Sequence, residues 1–368
     1  MTSRIAQVAN FVTPTSGGLR TTLRHLADGY AAAGHDVMQI VPGEVFKVSR
    51  DDRITRVQLP APMVPGIGYR VMVDLRRVRD VLASFEPDAL EVHDRTTLRG
   101  LGTWASARGV RSSVFSHERL DRVVRQWLPR PLRPYGMVDR SNAYLAETFD
   151  TVLCATDWAA QEFVRVGAEN IRIVPLGVDT DAFTPRLFPR GDDEVRLVMA
   201  SRLSKEKRPD LAVVAVAELV RRGRPVRLDV CGDGPMRNAL RQASADLPIT
   251  WHGHLRDREE LGALMAEADV AIAPGPIETF GLAALEAMAC GTPPVVNRNS
   301  ALPSLVGTAG RVAPSSGWCF ADQVEDLLTT PETTRRRAAR HQVEDLRWDN
   351  TIRRLLDVHA IDPERLAA

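Results

Sequence analysis

The stretch Glu278–Val296, ETFGLAALEAMACGTPPVV, contains two glutamates that a simple helix does not explain. Its apolar pattern, followed by Gly291 and Pro293, predicts a helix that ends at Gly291, because glycine commonly follows a helix and proline cannot continue one. Free backbone N–H groups at a helix start suit a phosphate; here they belong to Phe280, Gly281 and Leu282. We interpret Glu278, before the helix, and Glu286, inside it, as acceptors for sugar and ribose hydroxyls beside that phosphate. If it served only the helix, Glu286 would be an exposed residue.

Loops that follow other predicted strands carry further candidates for binding the same anion. Gly17 and Gly18 open the first predicted helix, where glycine lets a phosphate approach the backbone, although a plain tight turn fits equally well. Arg202, Lys205 and Lys207 would neutralise a diphosphate leaving group, and a solvated run of charges is the alternative. The glycine-lined turn Cys231–Pro235 would either cradle a nucleotide or merely connect two elements.

The bulk composition fits a protein of two domains, since 368 residues exceed the roughly 100–200 typical of one domain. A net charge of +1, from 48 basic and 47 acidic residues, argues against a nucleic-acid-binding protein. The sequence has neither the run of about 18 apolar residues that a membrane span needs nor a signal-peptide pattern, so we expect a cytoplasmic protein. Its cysteines are far apart, and we expect buried, reduced thiols. They are Cys154, Cys231, Cys290 and Cys319.

Strand and helix patterns alternate along both halves of the chain, which predicts two α/β domains with parallel sheets. The predicted strands are Arg4–Val12, Asp36–Val41, Asp88–His93, Arg111–His117, Thr151–Thr156, Val195–Ser201, Pro225–Gly232, Ile249–His254 and Val270–Gly275. Between the halves, the Pro-, Gly- and Asp-rich stretch Ile173–Asp193 is the predicted linker. The segment from Trp348 to the end is predicted to be helical. In such sheets, ligands bind beyond the carboxyl ends of the strands.

Taken together, these motifs resemble the retaining glycosyltransferases of family 4, which have the GT-B fold. The resemblance is carried by the two glutamates eight positions apart around Phe-Gly-Leu, by RLSKEK and GDGP before them, and by SGGLR near the start. Longer stretches, including DALEVHDRTTLRGLG, SHERLDR and APGPIETFGLAALEAMACGTP, are similar to mycobacterial phosphatidylinositol mannoside mannosyltransferases.

The resemblance implies an α/β fold of two Rossmann-like domains that face each other across a cleft. Residues 1–178, with the C-terminal helix 350–368 crossing back to them, would form the acceptor-binding domain. Residues 179–349 would form the domain that binds the nucleotide-sugar. The family usually has a glutamate where this chain has Ser304, which leaves the loop after Val296 poorly predicted.

The resemblance also assigns roles to single residues. Glu286 would bind the donor ribose and Glu278 the donor hexose, and His117 would sit over the donor sugar, although a lone histidine is more often structural. The implied catalytic residues are His117, Arg202, Lys207 and Glu278. The implied donor-binding residues are Gly17, Gly18, Arg202, Lys207, Gly234, Phe280, Gly281, Leu282 and Glu286. Acceptor candidates are Arg20, Tyr69, Arg70, Asp94 and Arg95; Glu118 and Asp94 are weak candidates for a nucleophile.

The implied activity is the transfer of a hexose, with retention of configuration, to a hydroxyl acceptor. Mannose from GDP-mannose and a phosphatidylinositol-type glycolipid are the donor and acceptor that the resemblance favours, with neither a metal nor another cofactor. One alternative is a natural-product glycosyltransferase that uses a UDP-sugar and a soluble acceptor. Another is a protein that binds a nucleotide-sugar without turnover.

The segment His117–Gly136 predicts an amphipathic helix with two possible roles. Its apolar stripe is Leu120, Val123, Val124, Trp127 and Leu128; its basic residues are Arg119, Arg122 and Arg125, and Arg130 and Arg133 follow it. A basic helix with a tryptophan can lie on an anionic lipid surface, which would make the protein peripheral at the inner face of the membrane. An ordinary helix packed on the sheet would instead bury Trp127 and leave the arginines paired or in water.

Overall fold

The computed structural model describes residues 2–13, 17–64, 68–127, 135–186 and 193–361, without the side chains of residues 126 and 127. The chain forms two compact units, one of Met1–Leu176 with Trp348–Ala368 and the other of Gly177–Arg347. Each unit is an α/β domain with its own sheet and core. The boundaries predicted from the sequence lie after residues 178 and 349, whereas the structure divides the chain after residues 176 and 347.

The first unit contains one large sheet and a small hairpin among its described residues. Its strands are β1 (Arg4–Val8), β2 (Asp36–Gly43), β3 (Lys47–Asp51), β4 (Ile54–Pro60), β5 (Met63–Val64), β6 (Tyr69–Arg70), β7 (Ala89–Val92), β8 (Arg111–Ser116), β9 (Thr151–Cys154) and β10 (Ile171–Ile173). The large sheet has the order β10-β9-β8-β7-β1-β2-β4-β3. Its neighbours are parallel except for the edge pair β3 and β4.

Helices cover this sheet and supply the remainder of its core. They are α1 (Gly18–Ala32), α2 (Leu75–Phe85), α3 (Leu101–Ser106), α4 (Leu120–Trp127), α5 (Tyr135–Thr148) and α6 (Asp157–Val164). The central strands are buried along most of their length, as expected for parallel strands with helices on both faces. One apolar cluster joins strands and helices, with fully buried members Ala6, Ile40, Leu82, Leu90, Val114, Leu145 and Phe163.

The second unit contains a parallel six-stranded sheet of order β13-β12-β11-β14-β15-β16. Its strands are β11 (Val195–Ala200), β12 (Val226–Cys231), β13 (Ile249–Gly253), β14 (Val270–Ala273), β15 (Pro294–Asn297) and β16 (Arg311–Ala313). Its helices are α7 (Pro209–Arg221), α8 (Arg237–Ala243), α9 (Arg258–Glu267), α10 (Leu282–Ala289), α11 (Leu302–Val306), α12 (Gly317–Leu328) and α13 (Glu332–Gln342). Two short 3₁₀ helices, Lys205–Lys207 and Gly307–Ala309, lie in its loops.

The last helix, α14 (Trp348–Val358), returns to the first unit and packs on α1. Gly29 makes room for it, since a Cβ there would lie 1.9 Å from Cδ1 of Ile352. The Trp348 ring stacks on His25 with centroids 4.6 Å apart, and the Thr351 hydroxyl donates to the carbonyl of Pro175 at 2.8 Å. The predicted return of the C-terminal helix is therefore confirmed.

The strands that the sequence predicted are all present, but shorter elements were missed. The pairs β3–β4 and β5–β6, the strand β15 and its edge neighbour β16 were not predicted, and β10 overlaps the start of the predicted linker. Helix α2 begins at Leu75, because the Asp74 side chain accepts the N–H of Arg76 and caps the helix there. All four cysteines are free, and Cys319 alone is only half-buried. Burial raises the thiol pKa of the other three to about 12.

Candidate active site

Helix α10 of the second unit begins and ends as its sequence predicts. Gly281 precedes it with φ +79°, and no side chain among the described residues caps its first turn. A Cβ at Gly281 would lie 2.7 Å from Leu302, so both the backbone conformation and the space require glycine. At the other end, the N–H groups of Gly291 and Thr292 donate to carbonyls of the last turn, forming a Schellman motif. The first turn therefore offers N–H groups that no side-chain cap occupies.

Glu286 is buried, with 8% of its surface exposed, which excludes the alternative of an ordinary exposed helix residue. Its Oε1 lies 3.4 Å from Nη2 of Arg258, at the start of α9. The same Arg258 nitrogen lies 3.6 Å from Asp179, and the guanidinium covers the Phe183 ring at 4.7 Å. Sequence reasoning missed Arg258, because it stands among other charged residues next to a helix cap, where a solvated charge is the usual interpretation.

The structure brings two predicted catalytic residues, Lys207 and Glu278, into direct contact. Lys207 Nζ donates to Glu278 Oε1 at 2.7 Å, and both side chains are partly exposed. The carbonyl of Glu278 also accepts the N–H of Ala301 at 2.8 Å, which anchors the loop before α10 to the loop after β15. Arg202 lies exposed in the loop that leads from β11 to Lys207. The predicted cationic loop and the predicted sugar-binding glutamate therefore belong to one cluster.

Gly234 has a packing role that the sequence did not reveal. A Cβ at this position would lie 2.5 Å from the carbonyl oxygen of Leu203 and 2.8 Å from its nitrogen. The N–H of Leu203 donates to the carbonyl of Asp233 at 2.9 Å, and the N–H of Met236 donates to the Leu203 carbonyl. The glycine-lined turn thus supports the loop that carries Arg202. Its role in donor binding stays a prediction.

In the first unit, the predicted anion-binding glycines lie at the start of α1. Helix α1 begins at Gly18, and Gly17 precedes it with φ −80°. Both glycines are exposed, as is Arg20 in the first turn, and no atom lies within 4 Å of a Cβ built at Gly17. Residues 14–16 lie outside the described parts of the chain. Crowding by the described residues therefore does not explain Gly17, and its role in donor binding stays a prediction.

His117 follows β8 and belongs to a group of stacked rings. Its Nε2 lies 2.9 Å from Nδ1 of His93, and the rings of His93, Phe115 and His117 stack within 5.4 Å of one another. Burial lowers the pKa of His117 well below its usual value, and the positive charge of Arg95 lowers it further. His117 is therefore neutral at pH 7. The shift arises mainly from desolvation, which disfavours the charged imidazole.

Two of the predicted acceptor residues are instead structural. Asp94 is buried, and its carboxylate accepts hydrogen bonds from Asn10 and from the backbone and hydroxyls of Thr96 and Thr97, at 2.5–3.3 Å. It fixes the turn after β7, which leaves it poorly suited to act as a nucleophile. Arg95 is also buried, and pairs with Glu162 at 2.6 Å. Burial of both groups depends on partners distant in the chain, which local sequence patterns do not show.

The remaining acceptor candidates lie on β6. The ring of Tyr69 packs edge-on against Phe11 with centroids 5.8 Å apart. Arg70 donates to the carbonyl of Ala61 at 2.9 Å and lies 3.7 Å from Glu44. Both side chains are half-buried, and their acceptor role stays a prediction.

The predicted basic helix is present as α4, but its first arginine is not on the surface. Arg119 is buried and makes a bidentate ion pair with Asp121, and its guanidinium lies over the Trp158 ring. Arg122, Arg125 and Glu118 are exposed. Leu128, Arg130, Arg133 and the side chain of Trp127 lie outside the described residues. The buried pair of Arg119 agrees with an ordinary packed helix at that position.

The fold and these loops define the class of protein: a glycosyltransferase with the GT-B fold. A model of the glycosyl transferases group 1 matches residues 184–342, and a model of Glycosyltransferase Family 4 matches residues 16–182. The chain belongs to this family, which confirms the resemblance stated from its sequence. Its reaction has a nucleotide-sugar donor and a glycosyl acceptor as substrates.

Two relatives and one solved structure show how far the similarity extends. A GDP-mannose-dependent alpha-(1-6)-phosphatidylinositol dimannoside mannosyltransferase of Mycobacterium tuberculosis is 43% identical, over 96% of this chain and 95% of its own. An MMP alpha-(1->4)-mannosyltransferase of Mycolicibacterium hassiacum is 28% identical, over 96% of both chains. Sucrose-phosphate synthase from Thermosynechococcus elongatus has a TM-score of 0.80 at 19% identity, over 97% of this chain and 98% of its own. None of the helices in the described residues is long and apolar enough to cross a membrane.

Substitution of Gly234 tests whether packing alone requires glycine. Gly234→Ala should destabilise the protein by about 1–3 kcal/mol without any ligand present, the usual range for overpacking, because the methyl group meets backbone atoms that cannot rotate away. Gly136→Ala in α5 is the matched control, since a Cβ there meets nothing within 4 Å. Thermal unfolding of both variants without nucleotide measures the difference. A Gly234→Ala protein as stable as the wild type would contradict the packing role.

Proposed function

We propose that the protein transfers mannose from GDP-mannose, with retention of configuration, to a hydroxyl group of a phosphatidylinositol-type glycolipid. The observation that carries the proposal is the helix start at Gly281, without a side-chain cap and accompanied by a buried Glu286 and a Lys207–Glu278 ion pair. The activity of the 43% identical mycobacterial relative, a GDP-mannose-dependent phosphatidylinositol dimannoside mannosyltransferase, supports the choice of donor and acceptor.

In the proposed donor complex, each group of the cluster has one task. N–H groups at the start of α10 would bind diphosphate oxygens, and Arg202 and Lys207 would balance their charge. Glu286 would accept hydrogen bonds from the ribose hydroxyls, in an orientation that Arg258 maintains. Glu278 would accept from hexose hydroxyls while its other contact, Lys207, faces the diphosphate.

The proposed chemistry needs no carboxylate nucleophile. The bond from the anomeric carbon to the phosphate oxygen breaks as the acceptor oxygen attacks from the same face. The acceptor proton passes to the departing phosphate oxygen, so configuration is retained. The protein then acts through positioning and charge stabilisation. The hydrogen bonds that occupy Asp94 agree with this mechanism.

The direct test presents GDP-mannose, UDP-glucose and UDP-galactose in turn with a dimannosylated phosphatidylinositol in anionic vesicles. We expect product from GDP-mannose alone, with the anomeric configuration of the donor, and activity that falls as salt screens contact with the vesicle surface. Product from a UDP-sugar with a soluble acceptor would favour the natural-product alternative. Binding of donor without transfer or hydrolysis would favour a protein without turnover.

The ribose assignment predicts a defect in nucleotide affinity. Glu286→Ala should weaken GDP binding by about 1.5–3 kcal/mol, the usual contribution of hydrogen bonds to a charged group. Glu344→Ala, which removes an exposed glutamate of the same unit, is the control and should bind as the wild type does. Calorimetry measures both. Unchanged affinity of Glu286→Ala for every nucleoside diphosphate would contradict the assignment.

The leaving-group assignment predicts a defect in turnover. Lys207→Ala should lower kcat more than it raises the donor KM, because charge on the diphosphate grows toward the transition state. Lys205→Ala, in the same 3₁₀ helix but exposed, is the control. Since we propose cationic side chains in place of a metal, EDTA should leave the wild-type rate unchanged. A normal kcat in Lys207→Ala would contradict the assignment, because the charge of Lys207 would then not stabilise the leaving group.

A further inference from the structure

A carboxylate is buried at the centre of the first unit. Glu91 lies in the middle of β7 with no exposed surface. It accepts hydrogen bonds from Gln7 at 2.8 Å, from the Tyr30 hydroxyl at 2.5 Å and from Nε2 of His359 at 2.9 Å. Although burial raises the pKa of Glu91, its interactions with His359 and His93 outweigh burial and hold that pKa well below its usual value. Glu91 is therefore an anion and can only accept hydrogen bonds.

We infer that Glu91 and His93 are positioning residues that fix the orientation and the tautomer of His117. His93 lies between the two groups: its Nε2 is 3.5 Å from Glu91 Oε2, and its Nδ1 is 2.9 Å from His117 Nε2. The first contact is a charge contact and not a hydrogen bond, since Nε2 of His93 is buried without a hydrogen-bond partner among the described residues. The charge that this nitrogen faces is thus an anion.

Which ring nitrogens of His93 and His117 carry hydrogen follows from the chemistry of these two groups and of Glu91. A carboxylate favours the His93 tautomer that carries hydrogen on Nε2, so Nδ1 of a neutral His93 bears a lone pair. That lone pair can accept only from an N–H, so His117 must carry its hydrogen on Nε2. His117 then has Nδ1 as its acceptor nitrogen. Catalytic triads work in a similar way: an acid accepts a hydrogen bond from one ring nitrogen of a histidine and so fixes its tautomer. Here His93 lies between the acid and the functional histidine.

Stacking fixes the orientation of the same ring. The His93 ring lies 4.4 Å from Phe115 and 5.1 Å from His117, with interplanar angles of 12° and 17°. The parallel rings restrict rotation of His117, and the hydrogen bond to His93 selects one of the two ring flips. This step rests on the proposed function: an acceptor nitrogen on His117 would accept the hydrogen of a sugar hydroxyl, whereas an N–H there would donate to the hydroxyl oxygen.

The other partners of Glu91 do not explain why His93 contacts His117. Tyr30, Gln7 and His359 already donate three hydrogen bonds to the carboxylate. Gln7 accepts a hydrogen bond from Gln39, which in turn accepts one from Arg56; both lie on the side of Glu91 away from His117. His93 is the residue that links the buried Glu91 and its partners to His117, the residue proposed to contact the donor sugar.

The test compares His93→Phe with Tyr30→Phe in the full-length protein. Phenylalanine at 93 keeps a ring in the stack but removes both nitrogens, whereas Tyr30→Phe removes a hydrogen bond to Glu91 and touches neither histidine. Nitrogen-15 NMR of the imidazoles reports the tautomer of His117 directly. We expect hydrogen on Nε2 of His117 in the wild type and in Tyr30→Phe, and a mixture of tautomers in His93→Phe.

Kinetics provide the second measurement. His93→Phe should lower kcat by about 10–100-fold, the range known when the orienting partner of a metal-bound imidazole is lost, and should leave the donor KM nearly unchanged. Should His93→Phe fail to fold, Glu91→Gln removes the charge while keeping the shape, and the same mixture of tautomers is expected. Hydrogen on Nδ1 of His117 in the wild type, or one unchanged tautomer in the folded variant, would overturn the inference.

The NMR result does not depend on the reaction. If His117 shows the expected tautomers and no donor is turned over, the proposed function fails while the role of Glu91 and His93 stands. If transfer occurs but His93→Phe changes neither tautomer nor kcat, the proposed function stands and the inference fails.

Discussion

The left-handed backbone at Gly281 is the constraint on which the candidate donor site depends. A side chain at this position would be strained by its φ of +79° and would collide with Leu302. The turn brings the chain into α10 without a side-chain cap and leaves Glu278 beside Lys207. From that start, Glu286 falls on the buried side of the helix, against Arg258. The N–H groups proposed to bind the diphosphate and both carboxylates therefore depend on one glycine.

A buried charge organises the first unit in a comparable way. An ionised carboxylate in a sheet core is tolerated only where hydrogen bonds and opposite charge compensate its lost hydration. Glu91 receives that compensation from Gln7 in β1, Tyr30 in α1 and His359 just after α14. The last of these contacts joins the C-terminal helix to the strand that precedes His93. Core stability and the orientation of His117 thus depend on the same group.

Patterns local in the sequence predicted most of what is observed. Apolar runs identified the main strands, and Gly291 with Pro293 identified the end of α10. The contact of Lys207 with Glu278 agrees with placing both at one site, since the carboxyl ends of parallel strands share an edge. Strands β15 and β16 were missed; β16, at the edge of its sheet, has only three residues, too few for a periodic pattern.

Features that depend on distant partners were not predictable in this way. Arg95 and Asp94 looked like exposed acceptor residues, yet Glu162 and Asn10 hold them inside the unit. Glu91 was treated as part of an apolar strand. A signal did exist: a glutamate within a strand expected to be buried on both faces requires partners, and Gln7 occupies the matching register position in β1.

The most direct measurement of the central claim, that the start of α10 holds the donor, is amide hydrogen exchange with and without saturating GDP-mannose. Phosphate bound to these N–H groups should slow exchange in peptides that cover residues 278–286, and in those that cover residues 202–207. Peptides of α12, on which no donor contact is proposed, should be unchanged. Saturation of the protein with donor without protection of residues 278–286 would contradict the account.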